Sequence, residues 1–322
     1  MKAVVNHGYC TPEELKLEEI PKPSPAKGEV LVRVHATTIN RTDCGLRAGR
    51  PYFVRLIIGP FRPPWKVMGS EFAGIVEEVG EGVTEFKPGD EVFGLNQKKF
   101  GAHAEYMCTP ASAAITHKPK NLSFEESVAI VEGPWLAMNI YHRFKLNNKH
   151  RILINGCSGS IGSSALQLAK HFGADVTAVI NTKNLSLADK LGANRVINYE
   201  KEDFTTLQDQ FDLVFDAVGK STYAKCKRLL KPDGVYVSTE LGPRFENLFL
   251  TIRGSITGKK NVIFPIPKET KEDIVFFKTL AEAGELKPVI DKVYTLEQVP
   301  GATAYVETGE KTGSVVIRVM EA

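Results

Sequence analysis

Two rhythms of apolar and polar residues divide the chain. From residue 1 to about 122 the alternation is strand-like: "GEVLVRVHATTIN" (28–40) and "AGIVEEV" (73–79) place apolar side chains at every second position. "FKPGDEVFG" (86–94) is a Pro-Gly turn running into a further strand, and "MKAVV" at the start has the same texture. Such a series of short strands predicts a partly closed barrel or sandwich. Near Asn121 the rhythm changes. "LSFEESVAIVEGPWLAMNIYHRF" (122–144) has the spacing of a helix, with Ser123 as N-cap and Glu126 three residues on to complete a capping box.

Strands and helices then alternate. Strand "RILIN" is followed by helix "SSALQLAKHFG", strand "DVTAVI", helix "LSLADKLG", strands "RVIN" and "FDLVFDAV", helix "TYAKCKRLL" and strand "GVYVST", with "NVIF" near 261 as the last strand. This order predicts a doubly wound parallel sheet with helices on both faces. A helix, "KEDIVFFKTLAEAG", leads back to β texture ending in "TGSVVIRV". The expected organisation is α/β: a dinucleotide-binding domain over 123–264, inserted between the two parts (1–122 and 265–322) of one β-rich domain.

The totals narrow the classes. With 322 residues, 43% apolar and 25% charged, the chain can bury two cores. A net charge of +3 is too slight and too dispersed to argue for nucleic acid or a membrane surface. No run of about 18 apolar residues occurs, and the expected address is the cytoplasm. Five cysteines at wide intervals form no CxxC pair, so they read as reduced thiols and not as a zinc lobe or redox dithiol.

The strongest local signal is "RILINGCSGSIGSSALQLAK". A buried strand enters a small-residue turn with Gly156, Gly159 and Gly162 spaced three apart, then an amphipathic helix. Gly159 would let the backbone approach a pyrophosphate, Gly162 would let the helix pack tightly, and the helix's first-turn amides favour an anion. Cys157 sits in this loop, where helix-end amides would lower a thiol pKa; a small residue tolerated at a glycine position is the blander reading. The second strand ends "AVINTKN", so Asn181 stands where an NAD enzyme has an acid for the ribose, and Lys183 with the Thr182 hydroxyl would hold a 2′-phosphate. Tyr199 would add a phenol. NADPH is the expected cofactor.

Taken with "INRTDCGLRAG", "GSEFAGIVEEVG", "FKPGDEVFG", "GAHAEY", "LGANRVINY", "FDLVFDAVG" and "LKPVIDKVY" in that order, the whole chain resembles the medium-chain dehydrogenase/reductase superfamily. Within it the likeness is to the zinc-independent, quinone oxidoreductase-like branch. The resemblance implies a GroES-like domain plus a Rossmann domain. It also implies cofactor contacts from Ser158, Gly159, Ser160, Ile161, Asn181, Thr182, Lys183, Tyr199 and Val218. Zinc-dependent relatives have a cysteine where this chain has Asn40 and a histidine where it has Ser70, so no metal is expected. Without a Lewis acid, a conjugated acceptor is the easier substrate, because a quinone or α,β-unsaturated carbonyl spreads the incoming charge onto a distant oxygen. Asn40 and Tyr52 match family positions for hydrogen-bond donors to that oxygen, and Asp43 for a residue that orients neighbours.

Two departures stand out. Leu136 takes the place of a threonine near the nicotinamide amide. The loop "PYFVRLIIGPFRPPWKV" is long and apolar, fitting either a lid over a bulky acceptor or a packed interface. A small hydrophobic acceptor and a homodimer are the expected partners. An enoyl-thioester reductase and a non-catalytic NADPH-binding protein remain as alternatives.

Overall fold

The computed structural model describes residues 1–259 and 261–321. Lys260, inside the expected nucleotide domain, and Ala322, at the end of the β-rich one, lie outside the described residues. The chain divides into two units: Met1–Glu132 with Glu269–Gly284 and Pro288–Ala322, and Gly133–Lys268 with Glu285–Lys287.

The first unit opens with a hairpin of β1 (Lys2–Val5) and β2 (Lys16–Glu19), followed by β3 (Glu29–Ile39), α1 (Arg41–Ala48) and the short α2 (Val54–Ile58). Four strands come next: β4 (Glu71–Val79), β5 (Glu91–Leu95), β6 (Tyr106–Pro110) and β7 (Ala114–His117). The long strand β3 is buried along almost its whole length, and Val30, Val32 and Val34 pack with Phe72, Val76, Val92 and Ile115 in the core. Then α3 (Phe124–Ala129) starts on the Ser123–Glu126 capping box foreseen in the sequence.

That helix corrects the expected domain boundary. The first unit extends to Glu132, not 122. The reason is packing: Phe124 stacks on His35 of β3 with ring centroids 4.5 Å apart, and Glu125 pairs with Arg318 at 2.7 Å. An amphipathic pattern marks a helix, but it does not say which sheet the helix covers.

The second unit holds α4 (Glu132–Phe144, from Gly133 on), β8 (Arg151–Asn155), α5 (Ser160–His171), β9 (Asp175–Ile180), α6 (Leu185–Lys190), β10 (Arg195–Asn198), β11 (Phe211–Asp216), α7 (Tyr223–Cys226), β12 (Leu230–Ser238), α8 (Glu246–Thr257) and β13 (Val262–Ile263). Among the described residues its six strands run in the order β10-β9-β8-β11-β12-β13, every pair parallel. The order reverses direction at β8, the first strand in sequence, which creates the switch point where such sheets bind ligands at their C-terminal ends. The chain returns to the first unit through α9 (Lys271–Glu282), β14 (Ile290–Thr295), α10 (Val299–Thr308) and β15 (Ser314–Arg318). There β14 and β15 extend the sheet as β14-β15-β3-β4-β5-β7, with β6 also on β3.

Candidate active site

Each unit carries one set of candidate residues. In the second unit the chain leaves β8 at Asn155 and turns at Gly156, whose φ of +87° is left-handed. The three glycines do different work. A Cβ on Gly162 would sit 2.1 Å from the Gly156 carbonyl oxygen, so only glycine lets α5 approach the turn. A Cβ on Gly156 would strike Val218 at 2.4 Å. At Gly159, the residue before α5, the nearest atom would be 3.7 Å away. The protein does not need glycine there for its own packing, and the open face suits an approaching pyrophosphate. With the first-turn amides of Ser160 and Ile161 beside it, this cradle fits a dinucleotide.

Cys157 is buried, its thiol donates to the Ile154 carbonyl at 3.3 Å, and burial pushes its pKa up. The lowered pKa that the helix end suggested is not found: desolvation outweighs the nearby amides.

Val218 rests on a device the sequence did not reveal. The fully buried Asp216 at the end of β11 accepts hydrogen bonds from Asn155 Nδ2 (3.0 Å), Gly219 N (3.1 Å), Ser221 N (2.9 Å) and the Tyr236 hydroxyl (3.2 Å). This carboxylate fixes the turn that presents Val218, itself 37% exposed. At the end of β9, Asn181 accepts from Asn184 Nδ2 at 2.7 Å, while Lys183 and Tyr199 stand at the surface. Thr182 is engaged: its N–H and hydroxyl both donate to Glu200, and its hydroxyl accepts from Asn198 Nδ2 at 2.8 Å. Those bonds lower the Glu200 pKa. So an acid, the residue following Tyr199, engages the residue after Asn181, and it was missed because it lies beyond the next strand. Leu136 is partly exposed among the buried residues of α4.

In the first unit, Asn40, Asp43, Ser70 and Glu71 meet. Asn40 is the N-cap of α1: its Oδ1 accepts from Asp43 N at 2.8 Å, and Asp43 accepts the Asn40 N–H at 3.2 Å, closing a capping box. Asp43 also accepts from Gly69 N at 3.2 Å. The Asn40 amide donates to both carboxylate oxygens of Glu71 at 3.1 Å, and the Thr38 and Ser70 hydroxyls donate to the same carboxylate. The amide expected to meet an acceptor oxygen is thus turned onto Glu71.

This donor set does not fit the zinc of the metal-dependent relatives. Asn40 and Ser70 aim hydrogens, not lone pairs, at Glu71. Among the described residues no group of three or more His, Cys, Asp and Glu side chains is placed to hold a metal. His103, 3% exposed, bonds the Thr38 carbonyl through Nε2 at 2.9 Å, and burial drops its pKa to about 4, so it is a neutral core residue.

The cluster extends beyond the predicted residues. Burial, then the charge of Glu71, raises the Asp43 pKa well above the usual carboxylate range. Burial likewise raises Glu71 against the pull of Ser70, Thr38 and Asn40. Glu132 is raised by burial and by Glu71, with Lys311 opposing, and Lys311 is lowered by its own burial. Three carboxyls and one amine therefore share a weakly solvated network that can retain a proton such groups ordinarily release. Tyr52 lies apart from it, 65% exposed, its ring under Arg55 at 5.0 Å and Arg50 at 5.9 Å.

Known proteins share this plan. Residues 26–120 match the alcohol dehydrogenase GroES-like domain and residues 191–317 the zinc-binding dehydrogenase family. The 2-methylene-furan-3-one reductase of Solanum lycopersicum is 33% identical over 98% of this chain and 79% of its own length. The NADPH-dependent alkenal/one oxidoreductase of Arabidopsis thaliana chloroplasts is 31% identical over the same 98% and 79%. The structure of the quinone oxidoreductase from Coxiella burnetii superimposes with a TM-score of 0.88 at 26% identity, covering 99% of both chains. With a GroES-like β-rich unit, a Rossmann unit and a donor set unsuited to zinc, the chain belongs to the quinone oxidoreductase-like branch of the medium-chain dehydrogenase/reductase superfamily.

Proposed function

We propose that this protein is an NADPH-dependent reductase of quinones and α,β-unsaturated carbonyl compounds. The observation that carries the reading is the Glu71 carboxylate closed in by Asn40, Thr38 and Ser70 where metal-dependent relatives keep zinc ligands. A bound nicotinamide supplies the hydride. The amides at the start of α5 hold its pyrophosphate, and the Asp216-braced turn presents Val218 to the cofactor. Charge on a conjugated acceptor is delocalised, so a weak donor suffices; the exposed Tyr52 hydroxyl is that donor, and Asn40 is a positioning residue that holds Glu71 and α1 in register.

Lys183 and Tyr199 support the preference for NADPH, and Glu200 opposes it. A 2′-phosphate must displace the carboxylate from Thr182, so the choice is a contest between one lysine and one acid. Lys183→Ala should weaken NADPH by roughly ten- to a hundredfold and leave NADH nearly unchanged, whereas Glu200→Gln should tighten NADPH. Equal losses of both cofactors in Lys183→Ala would remove that lysine from the phosphate site. The open outer edge of β13 and the exposed apolar side chains of α8, Phe249, Ile252 and Ile256, support a homodimer. Sedimentation velocity tests it.

The substrate class is tested by following NADPH oxidation with a panel of quinones, enones, an enoyl thioester and, in the reverse direction, ethanol with NADP. Quinones and enones should turn over and ethanol should not. Faster ethanol oxidation than reduction of any conjugated acceptor would refute the class, and a preference for the thioester would narrow it.

A further inference from the structure

The segment from Arg50 to Lys66 is unlike the rest of the surface. Leu56, Ile57 and Phe61 are 82, 76 and 90% exposed, the barest large apolar side chains of the first unit. Yet the segment is not loose. Arg55 donates to the carbonyls of Gly49 (3.1 Å) and Ala48 (3.0 Å) and lies over the Tyr9 ring at 4.3 Å, and the Tyr9 hydroxyl donates to the Gly59 carbonyl. Trp65 donates to the Lys98 carbonyl at 3.0 Å and packs on Phe100, while Asn6 N–H holds the Lys66 carbonyl at 3.0 Å. Gly59, with φ of +149°, makes a turn in which a Cβ would lie 2.4 Å from the Arg62 carbonyl oxygen. A lid that closes over a substrate needs a hinge; here both ends are pinned and only the apolar tip is bare.

Charge identifies the occupant. Between Cys44 and Ser70 the sequence has no Asp or Glu, while Arg50, Arg55, Arg62 and Lys66 flank the tip along the chain; Arg50, Arg62 and Lys66 are exposed, and Lys66 lies near enough to Glu18 to help hold its carboxyl down. The chain-wide balance of +3 argues against a membrane surface, but it averages over this region. An apolar tip flanked along the chain by exposed cations is the complement of anionic headgroups over hydrocarbon. No helix among the described residues is long and apolar enough to cross a membrane, so the contact is peripheral.

We propose that Arg50–Lys66 docks the protein on anionic lipid bilayers, with Leu56, Ile57 and Phe61 entering the interfacial layer and Arg50, Arg62 and Lys66 meeting the headgroups. This goes beyond the reductase reading and stands without it.

The test is sedimentation of the full chain with vesicles of phosphatidylglycerol and phosphatidylcholine. Each cation near an anionic surface is worth roughly fivefold, so vesicles of phosphatidylcholine alone should bind about a hundredfold more weakly, as should the anionic ones in 1 M salt. Leu56→Glu combined with Phe61→Glu should lose about a hundredfold or more with an unchanged melting temperature, since both residues are exposed. Val275→Glu, at an apolar residue of α9 that is 41% exposed, should bind like the parent. The proposal is overturned if the parent does not sediment with anionic vesicles, if the double variant binds as the parent does, or if Val275→Glu loses binding equally. It is also overturned if the parent self-associates through a contact that the double variant removes, which would assign the tip to a second copy of the chain.

Discussion

The turn from Gly156 to Gly162, open on one face, and the buried cluster around Glu71 are both polar and built on opposite principles. The turn is made of backbone: what shapes it is where a Cβ is absent. The cluster is made of side chains drawn from residues 38, 40, 43, 70, 71, 132 and 311, and its function lies in how their hydrogen bonds and charges offset one another. The first kind of site tolerates almost no change at its closest approach. In the second, the cost depends on which member is lost, because three donors share the one Glu71 carboxylate.

The sharpest break of that comparison is Gly162→Ala. A methyl group 2.1 Å from a backbone oxygen cannot be relieved by a side-chain rotation. Nucleotide binding should fall below detection, and the second unit should lose about 4 kcal/mol or more, a drop of roughly 10 °C in melting temperature. Gly159→Ala is the paired measurement. With 3.7 Å to its nearest neighbour the methyl group should leave stability within about 1 kcal/mol, yet weaken nucleotide at least tenfold because it occupies the pyrophosphate's approach. If both variants behave alike, the two glycines do not have the separate roles assigned here.

The same contrast explains what the sequence disclosed. The parallel order of strands, the Ser123 capping box, the last strand near 261 and the glycine turn between β8 and α5 were legible because each depends on residues close together in the chain. The Glu71 cage was half legible: Asn40, Asp43 and Ser70 were on view, but the direction of the Asn40 amide depends on a strand pairing that brings residues 37 and 72 together. Glu132, Lys311 and Glu200 were not legible at all, since nothing local separates a network carboxylate from a solvated one. The assignment of α3 failed for a related reason, as its partner His35 lies almost 90 residues earlier.

Glu71→Ala should cost the first unit about 3 kcal/mol, read by denaturant unfolding, because it leaves the Asn40, Thr38 and Ser70 donors without their acceptor. Glu71→Gln keeps one acceptor and should cost less. The pH dependence has a definite sign. The folded-state pKa of Glu71 is raised, so its contribution to stability is full below the unfolded value and is lost as pH rises through the folded one. The parent's advantage over Glu71→Gln should therefore be larger at pH 5 than at pH 8. An advantage that grows with pH would show that the three donors outweigh burial and that the carboxylate is held ionised.

His103 gives the opposite slope from the same core. Its pKa falls from 6.5 to about 4 on folding, so its contribution is present above the unfolded value and is lost as pH drops toward the folded one. Across that window the linkage amounts to about 3 kcal/mol. His103→Gln, which has no such proton to take up, should be less acid-sensitive by that amount between pH 7 and pH 4. Equal acid sensitivity would mean that another group governs the acid limb.

The smallest expected effect tests the one proposed donor outside both buried sites. Tyr52 is 65% exposed and its ring contacts are to Arg50 and Arg55, so Tyr52→Phe removes an oxygen and leaves the packing as it was. Stability should stay within about 0.5 kcal/mol. If the hydroxyl meets the oxygen where charge develops, turnover should fall about tenfold, at the low end for such a donor because a conjugated acceptor spreads its charge. KM for nucleotide should be unchanged, since the proposed nucleotide contacts all lie in the second unit. The loss should also be greater for an enone, whose charge gathers on one oxygen, than for a quinone, whose charge is shared between two. Equal losses on both acceptors would make Tyr52 a residue that shapes the pocket. No loss on either would leave the reaction to the buried network, and the side-chain cluster would then have to supply the donor as well as the scaffold.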